Sequence, residues 1–169
     1  VLPANPHTRK IFDRPNWTGY DVKLDVYPDV FAWGILLLPK DLKPGEKRPV
    51  VVCQHGRNGV PKDVVEGNVR AYFDYGAKLA DRGFIVFAPH NLYRGEDRYR
   101  MVNRKGNPLK LSMFSFIAAQ HRQILHWLKT LPNVDEKRIG FYGISYGGET
   151  AVRIPPLLDD YALSICSAD

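Results

Sequence analysis

The sequence of 169 residues predicts an α/β fold, in which a mostly parallel sheet carries helices on both faces and opens with an antiparallel hairpin. Two observations predict it. Short apolar runs alternate along the chain with segments of helical periodicity, which is typical of parallel β-α-β units with right-handed crossovers. Two longer strand-like segments joined by a turn precede these runs. We expect residues 20–169 to form this domain and residues 1–19 to be an amino-terminal extension.

The first elements are an antiparallel pair of strands. Residues 20–27 alternate apolar and polar side chains, which is the period of a half-exposed strand. Residues 30–39 are its partner, because Pro28 and Asp29 between them are turn-forming residues. After a connection rich in Lys, Pro and Gly, residues 50–53 are short and wholly apolar, so they predict a buried strand.

The later elements alternate between helices, strands and one long loop. Cys53 and Cys166 fall inside apolar runs, so we expect both to be small buried side chains without a disulfide. In chain order the pattern predicts a helix over 69–80, a strand over 84–89, a polar loop over 91–110, a helix over 112–131, a strand over 138–142, a short helix after Ser145 and a strand over 162–166.

The segment from Gly143 to Gly148 carries the strongest chemical signal. It follows an apolar strand directly, and glycines stand two residues before and two residues after Ser145. A serine on so tight a strand-to-helix turn has strained backbone angles, and only glycine fits at Gly143 and Gly147. This is the pattern of the nucleophile elbow of an α/β-hydrolase. It predicts Ser145 as the nucleophile and the backbone N–H of Tyr146 as one donor to the oxyanion.

Further segments share a family's pattern in order and spacing. His55-Gly56 follows the first buried strand, Asp81-Arg82-Gly83-Phe84 leads into the next, and Asp135 to Gly140 precedes the elbow. From about Tyr20 onward the chain resembles the first six strands of an α/β-hydrolase of the dienelactone hydrolase or acetyl xylan esterase type. The resemblance implies that the loop after His55 supplies the second oxyanion donor, the backbone N–H of Arg57, and that His55 shapes this loop.

The resemblance also implies a chain order of serine, acid and histidine. All five histidines precede Ser145, so we expect an α/β-hydrolase sheet truncated after its sixth strand. A carboxyl-terminal half of the same fold, or a second chain, is expected to complete the sheet and to supply the base. Asp169 ends the chain after the last predicted strand and is a candidate for the triad acid, although more members of the family place the acid one strand later.

Candidate substrate contacts are His55, His90 and Arg94. His90 follows a buried strand at the sheet edge where open α/β folds bind ligands. Arg94 begins a segment, residues 94–110, with six basic and two acidic residues, which is either a solvated loop or a loop that faces an anionic substrate group. Three aromatic side chains either floor a sugar or acyl site or pack in the core: Tyr93, Tyr99 and Phe114.

We interpret the chain as part of a serine carboxylic ester hydrolase that deacylates a carbohydrate or another small ester without a metal or organic cofactor. Two alternatives stay open: a prolyl oligopeptidase-type serine peptidase, and a non-catalytic hydrolase-like module or inactive fragment without its base. The net charge of +6 permits anionic partners without requiring them, and we expect neither nucleic acid nor membrane as a partner. We expect an extracytoplasmic location, secreted or periplasmic; Asn16-Trp17-Thr18 is a glycosylation sequon.

Overall fold

A computed structural model describes residues 1–94 and 98–168 and shows a seven-stranded mixed sheet with helices on both faces. Its strands lie in the order β1-β2-β3-β5-β4-β6-β7. The neighbouring pairs β1–β2, β2–β3 and β3–β5 are antiparallel, and the pairs β5–β4, β4–β6 and β6–β7 are parallel. The strands are β1 His7–Asp13, β2 Trp17–Tyr27, β3 Val30–Pro39, β4 Arg48–Gln54, β5 Ile85–Pro89, β6 Val134–Ile144 and β7 Leu163–Ser167.

Four α-helices and three short 3-10 turns connect the strands within the described residues. The helices are α1 Tyr75–Ala80, α2 Tyr99–Gly106, α3 Met113–Leu128 and α4 Tyr146–Arg153, and the 3-10 turns are Pro61–Val64, Asn107–Leu109 and Pro155–Leu157. The predicted α/β sheet, with helices on both faces and an antiparallel opening that leads into parallel strands, is confirmed.

Two apolar clusters cover the two faces of the sheet. Alternate residues of a strand point to opposite faces, so Val50 and Val52 of β4 pack in the cluster that includes α3 and α4. Cys53 and Val51, on the other face, pack with α1 and the turn before it. Burial on both faces explains why the central parallel strands are continuous apolar runs.

The structure corrects four predicted elements. Residues 1–19 contain a strand, β1, which pairs with β2 and adds a seventh strand to the six expected. The segment 91–110, predicted to be a loop, contains α2. The helix predicted over 69–80 begins only at Tyr75, because Phe73 and Asp74 have left-handed backbone angles that a helix cannot include. The strand predicted over 138–142 begins earlier, at Val134.

Strand β7 is an edge of the described sheet, and its side chains are largely exposed. Leu163 is 58% and Ile165 44% exposed, and Cys166 is exposed rather than buried as the sequence predicts. Only β6 pairs with β7 among the described strands. An apolar strand with a free edge is a template for pairing with another chain.

We therefore expect the isolated chain of 169 residues to self-associate through β7, and Ile165→Lys to reduce this association strongly, because a charged side chain blocks edge pairing. Analytical ultracentrifugation over a concentration series measures the effect. Val152→Lys is the matched control, since Val152 is 51% exposed but lies on α4. An equal effect of both substitutions contradicts a specific role of the β7 edge.

Candidate active site

Ser145 lies between the end of β6 and the first residue of α4. Its backbone angles are φ 57° and ψ −124°, outside the ordinary regions for a residue with a side chain, and the residue is exposed. A Cβ atom on Gly143 would overlap the carbonyl group of Gly147, and one on Gly147 would lie 2.6 Å from the carbonyl oxygen of Gln54. The turn therefore closes only with glycine at both positions, as the elbow pattern predicts.

Two backbone N–H groups near Ser145 have no acceptor among the described residues. Tyr146 is the first residue of α4, so its N–H has no acceptor within the helix. The loop after β4 passes beside Ser145, because a Cβ atom on Gly56 would lie 3.1 Å from Ser145 Cβ. Within residues 1–94 and 98–168, the next amide, that of Arg57, donates no hydrogen bond. Both amides are therefore open to a ligand beside Ser145.

His55 does not reach this surface. Its side chain is fully buried, so the structure corrects the expectation that it contacts substrate. Nε2 accepts a hydrogen bond from the backbone N–H of Asn91 at 3.0 Å, which requires that Nδ1 carry the proton and donate it to the carbonyl oxygen of Gly56 at 2.8 Å. Burial lowers the pKa of His55 to about 3, so the imidazole is neutral at pH 7.

His90 faces a separate cavity. Its ring lies 5.2 Å from the ring of Trp33 and 5.4 Å from that of His55. The cavity, of about 410 Å³, lies between the β2–β3 turn and helices α2 and α3, and its walls are mainly apolar. Ser145 does not line it, although Tyr99 does. A contact between His90 and a substrate stays a prediction.

An aromatic cluster extends outward from the residue after Ser145. The ring of Tyr93 lies 4.5 Å from that of Tyr146 and is stacked on that of Tyr99 at 4.2 Å. Phe114 also contacts Tyr146, with 5.6 Å between ring centroids. The guanidinium carbon of Arg57 lies 4.8 Å above the Tyr93 ring. The three aromatic residues singled out in the sequence are thus packed together beside the elbow.

Arg94 and Asp169 are the two remaining candidate residues from the sequence. Arg94 is partly buried, and its positive charge contributes to the lowered pKa of His55. Asp169, the candidate acid, and both acidic residues of the basic segment, Glu96 and Asp97, lie outside the described residues.

A base for Ser145 is not found in the described part of the chain. There, no described hydrogen bond joins any of the five histidines to Ser145 Oγ; His55 and His121 bond to other groups, and His90 packs against Trp33 and His55. The same residues contain no group of three His, Cys, Asp or Glu side chains that could hold a metal ion. No described helix is long and apolar enough to cross a membrane. That Ser145 is the nucleophile, with the amides of Tyr146 and Arg57 as oxyanion donors, stays a prediction.

Three polar residues near the elbow were missed in the sequence: Tyr72, Asn91 and Thr150. The Tyr72 hydroxyl accepts a hydrogen bond from the N–H of Gly56 at 2.9 Å, and Asn91 Nδ2 donates to Thr150 Oγ1 at 2.8 Å. Tyr72 was assigned to an apolar helix face, and Asn91 to the start of a loop. Only their position after or between buried segments could have drawn attention to them.

The comparisons with known proteins agree with this fold. Acetyl xylan esterase from Paenibacillus sp. R4 superposes with a TM-score of 0.72 at 20% identity, over 95% of this chain and 52% of that chain. Acetyl xylan esterase 1 from Thermoanaerobacterium sp. JW/SL YS485 superposes with a TM-score of 0.75 at 17% identity, over 95% and 51%. The glucuronoyl esterase from Solibacter usitatus gives 0.65 at 13% identity, over 95% and 51%.

The chain spans about half the length of these solved structures. No curated protein matches it by sequence. The family model that describes the dienelactone hydrolase family matches residues 34–162, from the middle of β3 to the residue before β7. This match covers most of the chain and confirms the resemblance drawn from the sequence. The chain belongs to the dienelactone hydrolase family.

Proposed function

We propose that this chain is the nucleophile-bearing part of a serine carboxylic ester hydrolase. The observation that carries the proposal is the exposed serine at the strained turn between β6 and α4, with the unoccupied amides of Tyr146 and Arg57 beside it. Membership of the dienelactone hydrolase family and the folds of the superposed esterases support it.

The reaction proceeds through an acyl-enzyme. Ser145 Oγ attacks the ester carbonyl carbon while a general base takes its proton, and the carbonyl oxygen becomes an oxyanion. The N–H groups of Tyr146 and Arg57 donate to that oxyanion, and the alcohol leaves with a proton from the base. Water then attacks the acyl carbon and releases Ser145 by the same route. No metal or organic cofactor takes part in these steps.

The base and the triad acid come from polypeptide that lies beyond the described residues. All five histidines precede Ser145, and none bonds to its hydroxyl in the described structure. A carboxyl-terminal half of the fold, or a second chain, supplies the histidine. The exposed apolar side chains of β7 support a continuation of the sheet at this edge. Asp169 remains a candidate for the acid.

The proposed substrate is a carbohydrate ester or another small ester. Two of the superposed structures are acetyl xylan esterases and one is a glucuronoyl esterase, which favours an ester on a sugar. The partly exposed rings of Tyr93 and Tyr99, of which Tyr93 packs on the buried Tyr146, offer flat surfaces near the proposed nucleophile, as sugar rings require. Arg94 and His90 are the proposed side-chain contacts. An extracytoplasmic location, secreted or periplasmic, stays a prediction.

The first test is substrate class. We expect the whole protein to hydrolyse p-nitrophenyl acetate and acetylated xylo-oligosaccharides, and to leave a proline p-nitroanilide intact, because the family and the superposed esterases favour an ester as substrate. Release of p-nitrophenol, acetate and p-nitroaniline measures the three rates. Faster cleavage of the anilide favours the peptidase. Failure of a fluorophosphonate probe to label folded whole protein favours the non-catalytic module.

A further inference from the structure

A continuous chain of buried hydrogen bonds joins the two sides of the oxyanion site. Thr150 Oγ1 donates to the carbonyl oxygen of Tyr146 at 2.9 Å and accepts from Asn91 Nδ2 at 2.8 Å. The backbone N–H of Asn91 donates to Nε2 of His55, whose Nδ1–H donates to the carbonyl oxygen of Gly56. Asn91 is therefore the link between α4 and the loop after β4.

This chain fixes the peptide group that carries the second oxyanion donor. In a trans peptide the carbonyl oxygen of Gly56 and the N–H of Arg57 belong to one plane and point in opposite directions. The hydrogen bond from His55 to that carbonyl therefore sets the direction of the Arg57 N–H. The preceding peptide is fixed too, because the N–H of Gly56 donates to the Tyr72 hydroxyl.

The other end of the chain fixes the first turn of α4, where the first oxyanion donor lies. The Thr150 hydroxyl spans one helical turn back to the carbonyl of Tyr146. Its second bond, from Asn91, ties this turn to the residue that holds His55. Asn91 and Thr150 come from segments 59 residues apart, and both are buried. A displacement of either segment is thus transmitted to the other.

The network is maintained at a cost in stability. Oδ1 of Asn91 and Oε1 of Gln54 are buried, and neither has a hydrogen-bond partner within the described structure. An unpartnered buried acceptor is unfavourable, and an apolar side chain of similar volume avoids the cost. Asn91 is thus poorly explained by packing alone, and its side-chain Nδ2 donor, which bonds to Thr150, is the feature that an apolar residue cannot supply.

We propose that Asn91 and Thr150 are positioning residues that hold the amides of Tyr146 and Arg57 in register for one oxyanion. The inference rests on the proposed esterase function. Neither side chain touches the substrate. Both act through the backbone, so their loss lowers the stabilisation of the transition state and leaves binding of the ground-state ester nearly intact.

The test compares Thr150→Val with Thr150→Ser in the whole protein. Thr150→Val keeps the shape of the side chain and removes its hydroxyl. We expect kcat for p-nitrophenyl acetate to fall about 10- to 100-fold, which does not exceed the fall that removal of one oxyanion donor causes. We expect KM to change less than about twofold. Thr150→Ser retains both hydrogen bonds and is expected to recover most of the rate. Phenylboronic acid, which forms a tetrahedral adduct with a serine nucleophile, is expected to bind Thr150→Val more weakly in the same proportion as kcat falls.

Two further variants separate positioning from general destabilisation. Thr130→Val removes a hydroxyl bond to a backbone carbonyl, that of Trp127, from an exposed residue just after α3, and it is expected to leave kcat at the wild-type value. Asn91→Leu is expected to lower kcat as Thr150→Val does. The double variant is expected to lose no more than the larger single effect, because the two residues act in one chain.

The outcomes distinguish the inference from the function on which it rests. If the wild-type whole protein hydrolyses no ester, the proposed function is overturned, and the inference with it. If the wild type is active and Thr150→Val keeps its kcat, or loses rate only through KM, the inference alone is overturned. The inference alone is also overturned if the losses of rate in the double variant are additive. It is likewise overturned if Thr130→Val loses as much rate as Thr150→Val while thermal unfolding shows the two variants to be equally destabilised.

Discussion

Replacing Ser145 with alanine is expected to abolish labelling by a fluorophosphonate probe and to lower kcat/KM for ester hydrolysis by at least about a thousandfold. The hydroxyl is the only group at the elbow apex that can form the acyl-enzyme, and without it the two amides stabilise only attack by water. The residual rate comes from those amides and from substrate binding. Gel fluorescence of the labelled protein and initial rates with p-nitrophenyl acetate measure the two effects.

Ser164→Ala is the matched control. Ser164 lies on β7, next to the strand that delivers Ser145, and its hydroxyl donates to the carbonyl of Ala151. We expect this variant to label and to hydrolyse at close to the wild-type rate. If Ser145→Ala retained labelling while Ser164→Ala lost it, the nucleophile would have been misidentified. Intact mass of the labelled protein, followed by peptide mapping, locates the modified serine.

The strands of the sheet were predictable because burial leaves a direct mark on the sequence. Strands β4 and β5 lie between two layers of helix, so their residues are apolar without alternation. Strand β3 was predicted with its observed bounds, since a turn precedes it and Lys40 follows it. The elbow was predictable for a different reason: its steric demands exclude every residue except glycine at two positions near Ser145.

The errors occurred where tertiary contacts override local pattern. Helix α2 is polar, with exposed arginines and lysines, and its amphipathic pattern is too short to stand out from a loop. Strand β1 is almost wholly exposed, and only its pairing with β2 makes it a strand. Cys166 was expected to be buried because the sequence of β7 is apolar, yet in the described chain no strand covers its outer edge.

The site was predictable only in part. Ser145, Tyr146 and Arg57 follow from a short motif and from a family resemblance, because they are adjacent to glycine-rich turns. The network behind them joins His55, Asn91 and Thr150, which are separated by 36 and 59 residues along the chain. No local pattern relates such residues. Their relation arises from the parallel sheet, which brings the carboxyl ends of β4, β5 and β6 to one edge.

Gly143→Ala is expected to have the largest effect of any single methyl group added to the elbow. The new Cβ atom would overlap the carbonyl group of Gly147, which is backbone and cannot rotate away. Either α4 moves away from β6 or the turn opens, and both displace Ser145 and the Tyr146 amide. We expect a loss of about 3 kcal/mol or more in the free energy of unfolding of the whole protein, together with loss of fluorophosphonate labelling.

Gly140→Ala on the same strand is the control that isolates the steric cause. There the nearest atoms to an added Cβ are 3.9 Å away, so the methyl group fits, and we expect unfolding free energy and labelling close to those of the wild type. Gly147→Ala is expected to fall between the two, because its Cβ would approach the Gln54 carbonyl oxygen at 2.6 Å. Chemical denaturation measures the order of the three variants. The predicted order of stability follows from these contact distances alone. Equal stability of Gly143→Ala and Gly140→Ala would therefore show that the strand-to-helix turn is wider than described. Ser145 would then lose the strained geometry on which its exposure depends.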